Sequence, residues 1–112
     1  MDRPTTRVNG SVLANCSQGQ VVRLIGKVVS LDTDQAILEA SDGVQVTVKL
    51  TQDSVLSDTF VEVIGKVVDT TVISELTSQN MGENIDMALA DKVVDLAQRY
   101  PAVFPSGQAG SD

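Results

Sequence analysis

Valine dominates the apolar residues of this chain, with 18 copies, and most fall in period-two runs between Val21 and Val72. Two heavy atoms on Cβ restrict χ1 in a helix and suit a pleated, half-buried surface, so this stretch reads as strands. Five are predicted: Val21 to Leu31, Gln35 to Ala40, Val44 to Leu50, Phe60 to Val68 and Thr70 to Leu76. Asp32-Thr33-Asp34 and Ser41-Asp42-Gly43 supply tight connections, the second because Gly accepts a positive φ without steric cost. Asp69 permits a third. The linker Thr51 to Thr59 is longer, with room for one helical turn around Val55-Leu56.

Two of the strands echo each other. Val22-Arg23-Leu24-Ile25-Gly26-Lys27-Val28-Val29 matches Val61-Glu62-Val63-Ile64-Gly65-Lys66-Val67-Val68 at six of eight positions. One face then carries Val22, Leu24, Gly26 and Val28 with Val61, Val63, Gly65 and Val67. The other carries Arg23, Ile25 and Lys27 with Glu62, Ile64 and Lys66. Glycine inside a strand weakens it unless a bend or bulge requires it. Glycines in the first and fourth strands suit strands that coil to close a small barrel.

The ends have different chemistry. Residues 1–20 read as an N-terminal extension, in which Ser11 can cap a short turn through Val12-Leu13-Ala14, and residues 21–76 as the barrel. Residues 77–85 begin with a polar stretch, Thr77 to Asn84, and read as a loop. Asp86 is placed to cap a helix spanning residues 86–100, halted by Pro101. Asp86 at its start and Arg99 at its end both oppose the helix dipole. Residues 101–112 form a tail whose Gly-, Ser- and Pro-containing end, Pro105 to Asp112, is expected to be disordered.

On a helical wheel Met87, Leu89, Ala90, Val93, Val94, Leu96, Ala97 and Tyr100 occupy an arc of about 180°, whereas a helix lying on one surface needs roughly 100°. The surplus predicts two contacts, one with the chain's own barrel and one with another helix. A wholly intramolecular helix on a broad base is the competing reading. Leu89, Val93, Leu96 and Tyr100 form one row, and Ala90, Val94 and Ala97 the next. The small side chains of the second row are expected to admit a partner helix at close range.

Catalytic chemistry finds little support. The chain has no His and a single Cys, Cys16, so neither a Cys/His zinc site nor a His-dependent triad can be assembled within it. Cys16 has no base to activate it and reads as a packed or surface thiol. Asp32-x-Asp34 opens like a calcium loop, but Ala36 replaces the next ligand. Gly26-Lys27 and Gly65-Lys66 lie within strands and lack the earlier Gly of a phosphate loop. No cofactor, metal or enzymatic activity is expected. The first residues lack the apolar core of a signal peptide, and no apolar run approaches the roughly 18 residues that span a bilayer, so a soluble intracellular domain without membrane contact is expected.

Five short strands, two of them bent at glycine, followed by a helix describe a mainly β chain: a five-stranded OB-fold barrel with a C-terminal amphipathic helix. Barrels of this kind bind single strands by stacking bases on aromatic side chains in a basic groove. With Leu38, Val46 and Val48 inward, the outward positions of the second and third strands are Ile37, Glu39, Gln45, Thr47 and Lys49. None is aromatic and only one is basic. Eight Lys and Arg against fifteen Asp and Glu give a net charge of −7, which opposes the counterion release that drives nucleic-acid binding. No nucleic-acid-binding residue is assigned on this basis. An autonomous single-strand binder using Arg23, Lys27, Lys49 and Lys66 is the alternative, against a solvated outer face on which these cations pair with Glu62 or Glu39.

The ordered set of motifs resembles the smallest subunit of eukaryotic replication protein A, the heterotrimeric single-stranded-DNA-binding complex. It comprises Pro4-Thr5-Thr6-Arg7-Val8-Asn9, the two glycine-containing strands, Ser41-Asp42-Gly43, the helix Asp86 to Arg99 and the closing Tyr100-Pro101-Ala102-Val103-Phe104-Pro105. The resemblance implies that the helix joins one helix from each of two larger OB-fold subunits in a three-helix bundle. Met87, Leu89, Ala90, Val93, Val94, Leu96, Ala97 and Tyr100 would then be the subunit interface. It implies a nuclear role in DNA replication, repair and recombination, with single-stranded DNA held mainly by the larger subunits. A small OB subunit of a telomere-capping complex has the same fold and helix and is the other relative to consider.

Overall fold

The computed structural model describes residues 5–100. Its elements, in chain order, are β1 (Thr6–Val8), α1 (Gly10–Leu13), β2 (Val21–Leu31), β3 (Gln35–Ala40), β4 (Gln45–Lys49), β5 (Phe60–Asp69), β6 (Val72–Gly82) and α2 (Met87–Arg99). The strands hydrogen-bond in the order β1-β2-β3-β4-β6-β5, and β5 pairs back onto β2, so β2 to β6 close into a ring. Pairing is antiparallel except for β1 with β2 and β4 with β6.

The ring closes on β2, which runs beside β5 over Val21 to Lys27 and beside β3 from Gly26 to Leu31. Where the strand is gripped on both edges there is no room for a side chain. A Cβ on Gly26 would lie 2.9 Å from Leu38 Cβ and 3.1 Å from Glu39 O. Gly65 sits at a register shift in the β5–β6 ladder, and a Cβ there would lie 2.6 Å from Ser74 O. Both glycines are thus sites of close strand approach, as barrel curvature requires.

The alternating pattern fills the ring. Val22, Leu24, Leu38, Val46, Val48, Val61, Val63 and Ile73 are fully buried, with Leu13 of α1 and Leu56 of the β4–β5 connection completing the same core. Removing such side chains from water is the main favourable term in folding the barrel. Val29 and Leu31, where β2 runs on past its irregular pairing between Val28 and Ser30, are exposed.

Several sequence expectations need correction. Within residues 5–20 the chain does more than make a short turn: β1 pairs with β2 along the edge that β3 takes up further on, and α1 inserts Leu13 into the core. Three residues are too few to show alternation, which is why β1 escapes a pattern search. The cap of α1 is Asn9 rather than Ser11, its Oδ1 accepting from Val12 N–H at 2.9 Å. The linker after β4 makes a turn at Thr51–Ser54 without a helix. Loop 77–85 is mostly strand, since β6 runs on to Gly82 along β5, pairing Thr77 with Ile64 and Asn80 with Val61.

The polar residues that disguise this end of β6 hold the β4–β5 connection. The buried carboxylate of Glu75 accepts from Thr51 N–H at 3.0 Å, Ser54 Oγ at 3.1 Å and Ser78 Oγ at 2.5 Å. Asn80 accepts from the N–H groups of Ser57 and Asp58 and donates to Val55 O. A buried polar group is tolerated when partnered in this way. The expected tail and its Pro101 stop lie outside the described residues.

Gly65→Ala is expected to cost about 1–3 kcal/mol of stability, because the methyl meets backbone rather than a yielding side chain. Urea unfolding of the isolated chain measures it, and an unchanged midpoint contradicts this account of ring closure.

Candidate subunit interface

Helix α2 starts where its sequence dictates. Asp86 is extended at the N-cap, and its Oδ1 accepts from Leu89 N–H at 3.0 Å, satisfying one of the free donors of the first turn. The last turn carries Arg99, which complements the C-terminal end of the dipole and pairs with Asp95 at 3.1 Å.

The two apolar rows of α2 part company. Val94 and Ala97 are buried, 6% and 3% exposed, and Ala90 is half-buried. Leu89 and Tyr100 are 58% and 52% exposed, while Met87, Val93 and Leu96 are intermediate. The small-residue row therefore lies against the chain's own fold, contrary to the expectation that it would admit another helix. Small side chains do allow close approach, but here they bring α2 down onto β1 and its neighbours. The row of large side chains is the outward one: Leu89 and Tyr100 stand exposed, with Val93 and Leu96 half-buried between them.

Hydrogen bonds fix this orientation. Asp91 Oδ1 accepts from Asn9 Nδ2 at 2.7 Å and from Ser41 Oγ at 3.0 Å. Asn9 thus caps α1 with its oxygen and latches α2 with its nitrogen. Asp42, next to Ser41, binds the same region from the other side: Oδ1 accepts from Gly10 N–H at 3.0 Å, and Oδ2 from Ser11 N–H and Ser11 Oγ, both at 2.9 Å. The β3–β4 turn and the β1–α1 junction are tied together, and both present a donor to α2. The Ser-Asp-Gly motif reads from sequence as a turn alone. Its second use, as the platform for the helix, depends on segments more than 30 residues apart.

Glu39, Gln45 and Lys49 are exposed and Ile37 and Thr47 half-buried on the outside of β3 and β4, with Leu38, Val46 and Val48 inward as the pattern predicts. No aromatic residue lies on either strand. Arg23, Lys27 and Lys66 share the outer face of the β2–β5 ladder, and Lys49 stands apart on β4. Lys27 stands opposite Glu39, Lys49 opposite Gln35 at the far end of β4, and Lys66 opposite Val21. Arg23 lies beside α2, 3.9 Å from Glu62. Cys16 is half-buried against the core, and burial pushes its thiol pKa above the ordinary value, away from the reactive thiolate.

A family model described as Replication factor A protein 3 matches residues 1–104. The chain belongs to that family. The Schizosaccharomyces pombe Replication factor A protein 3 is 30% identical over 105 residues, spanning 93% of this chain and 98% of that one. The structure of Ustilago maydis replication protein A bound to single-stranded DNA contains a chain 33% identical, with a TM-score of 0.86 over 93% of this chain and 98% of its own. The S. pombe Stn1–Ten1 complex gives a TM-score of 0.71 at 16% identity, covering 88% and 96% of the two chains. At that identity the likeness extends to the fold alone. Family membership thus sets the chain among the small replication protein A subunits, and the likeness to Stn1–Ten1 is one of architecture.

Within the platform for the helix, Asp42 carries a pH signature. Burial by itself raises its pKa, but the N–H groups of Ser11 and Gly10, the Ser11 hydroxyl and the Val44 N–H outweigh it and hold the group below the usual 3.8. A depressed folded-state pKa stabilises above the unfolded value and is lost as pH falls through the folded one. Asp42→Asn should therefore be less stable than wild type at pH 7 and at pH 5, with the gap closing only below about pH 4. Thermal melts across pH 2–7 measure this, and a gap constant over that range contradicts it.

Proposed function

We propose that this chain is a non-enzymatic assembly subunit, whose α2 contributes Leu89, Val93, Leu96 and Tyr100 to a bundle with one helix from each of two larger OB-fold subunits of replication protein A. The barrel is the support that presents the helix. Through the assembled heterotrimer the chain serves DNA replication, repair and recombination in the nucleus, with single-stranded DNA held mainly by the larger subunits. One observation carries the reading: α2 is docked by its small residues, while of its large apolar row Leu89 and Tyr100 stand in solvent and Val93 and Leu96 are only half-buried. A second helix is the natural cover for such a row, since i, i+4 and i+3 spacing gives a continuous ridge. The barrel face that stacks bases in single-strand binders offers no ring here, which fits a supporting role.

Family membership favours this over the telomere-capping alternative, for which there is likeness of fold only. An autonomous single-strand binder is disfavoured by the carboxylates beside its cations, Glu62 at Arg23 and Glu39 opposite Lys27, and by the lack of an aromatic residue on β3 and β4.

The docked and outward rows should respond differently to charge. Leu96→Asp places a carboxylate in the helix–helix core and should weaken assembly with the two larger subunits by about 2–4 kcal/mol, leaving the isolated chain's melting temperature nearly unchanged. Val94→Asp should instead destabilise the chain itself. Co-purification and thermal melting distinguish the two, and a Leu96→Asp chain that enters the complex with full affinity overturns the proposal.

A further inference from the structure

We propose that Arg23 is the receptor for a carboxylate presented by a partner helix, and so a determinant of which helix α2 accepts. This rests on the assembly reading of α2. Arg23 points outward from β2 into a cavity of about 110 Å³ between that strand and α2, whose walls include Ile25, Ala90 and Val93. Val93 belongs to the outward row, so a helix laid along that row covers the mouth of the cavity.

The chemistry at its base is incomplete. Arg23 is 27% exposed, and its Nε is buried with no hydrogen-bond acceptor. Glu62 lies 3.9 Å away, near enough for attraction but too far for a hydrogen bond. Arg7 stands directly opposite Arg23 on β1, and among the described residues no carboxylate lies within 4.0 Å of Arg7. Like charges facing each other across a strand pair repel. A chain with a net charge of −7 thus gathers two guanidinium groups and one carboxylate at the edge of its exposed helix. A second carboxylate would take a donor fork from Arg23, satisfy the orphaned Nε and relieve the repulsion. The apolar walls and the mouth shared with Val93 favour an acidic side chain set among apolar ones on a partner helix, rather than a nucleic-acid phosphate.

The test measures the affinity of the full chain for the two larger subunits at low and high salt, for wild type, Arg23→Gln and Leu96→Asp. Arg23→Gln should weaken assembly by about tenfold or more at low salt, with a smaller loss at high salt. The melting temperature of each isolated chain serves as the folding control. Should Arg23→Gln unfold, Arg23→Glu combined with Asp/Glu→Lys substitutions scanned along the partner helices replaces it, and restored assembly at one position supports the proposal. Wild-type affinity for Arg23→Gln while Leu96→Asp abolishes assembly overturns the carboxylate and leaves the helix reading standing. Unimpaired assembly by both variants overturns both. Salt-sensitive binding of labelled oligo(dT) by the isolated chain that Arg23→Gln abolishes assigns the site to phosphate, and also overturns the proposal.

Discussion

Closure of the ring on β2 is the constraint from which the rest of the molecule follows. One strand must serve β5 along one edge and β1 and then β3 along the other, and it can do so only where Gly26 leaves space for Leu38. Once closed, the ring is filled by its own valines and leucines together with Leu13 and Leu56. No interior volume is left for a helix to fill. Helix α2 must therefore lie outside, and a small barrel offers it only a narrow strip of contact. A helix with a broad apolar arc in that position keeps part of the arc in solvent.

What decides which part stays in solvent is polar rather than apolar. Asp91 takes donors from Asn9 and Ser41, and those residues are held together by Asp42. The row flanking Asp91, with Ala90 and Val94, is thereby turned inward, and Leu89 and Tyr100 outward. Hydrophobic burial alone would favour the opposite choice, since the larger side chains gain more from leaving water. The hydrogen bonds and the close fit of the small residues prevail, and the larger side chains remain available to a partner.

The barrel and the helix were legible in the sequence because their signals are periodic. Alternation located β2 and β3 to the residue, and the glycines at 26 and 65 announced curvature before any strand was paired. The errors arose where a segment's structure depends on distant partners. β1 is strand only because β2 has a free edge beside Val22 to Leu24, and Thr77 to Gly82 is strand only because β5 is long enough to pair with it. The wheel picks out the eight apolar residues of α2, but not which of them dock on the chain's own fold. That division depends on Asp91, which the wheel places among the polar residues and whose partners lie 50 and 82 positions away.

The central claim is that assembly takes place on the outward row of α2 and not on the outer face of β3 and β4. Amide hydrogen exchange, compared between the isolated chain and the chain assembled with the two larger subunits, tests it most directly, since covering a marginal surface helix suppresses its local opening. The account predicts that exchange slows on assembly across Met87–Arg99, with little change in Gln35–Ala40 and Gln45–Lys49. Slowed exchange in β3 and β4 with α2 unchanged would contradict it.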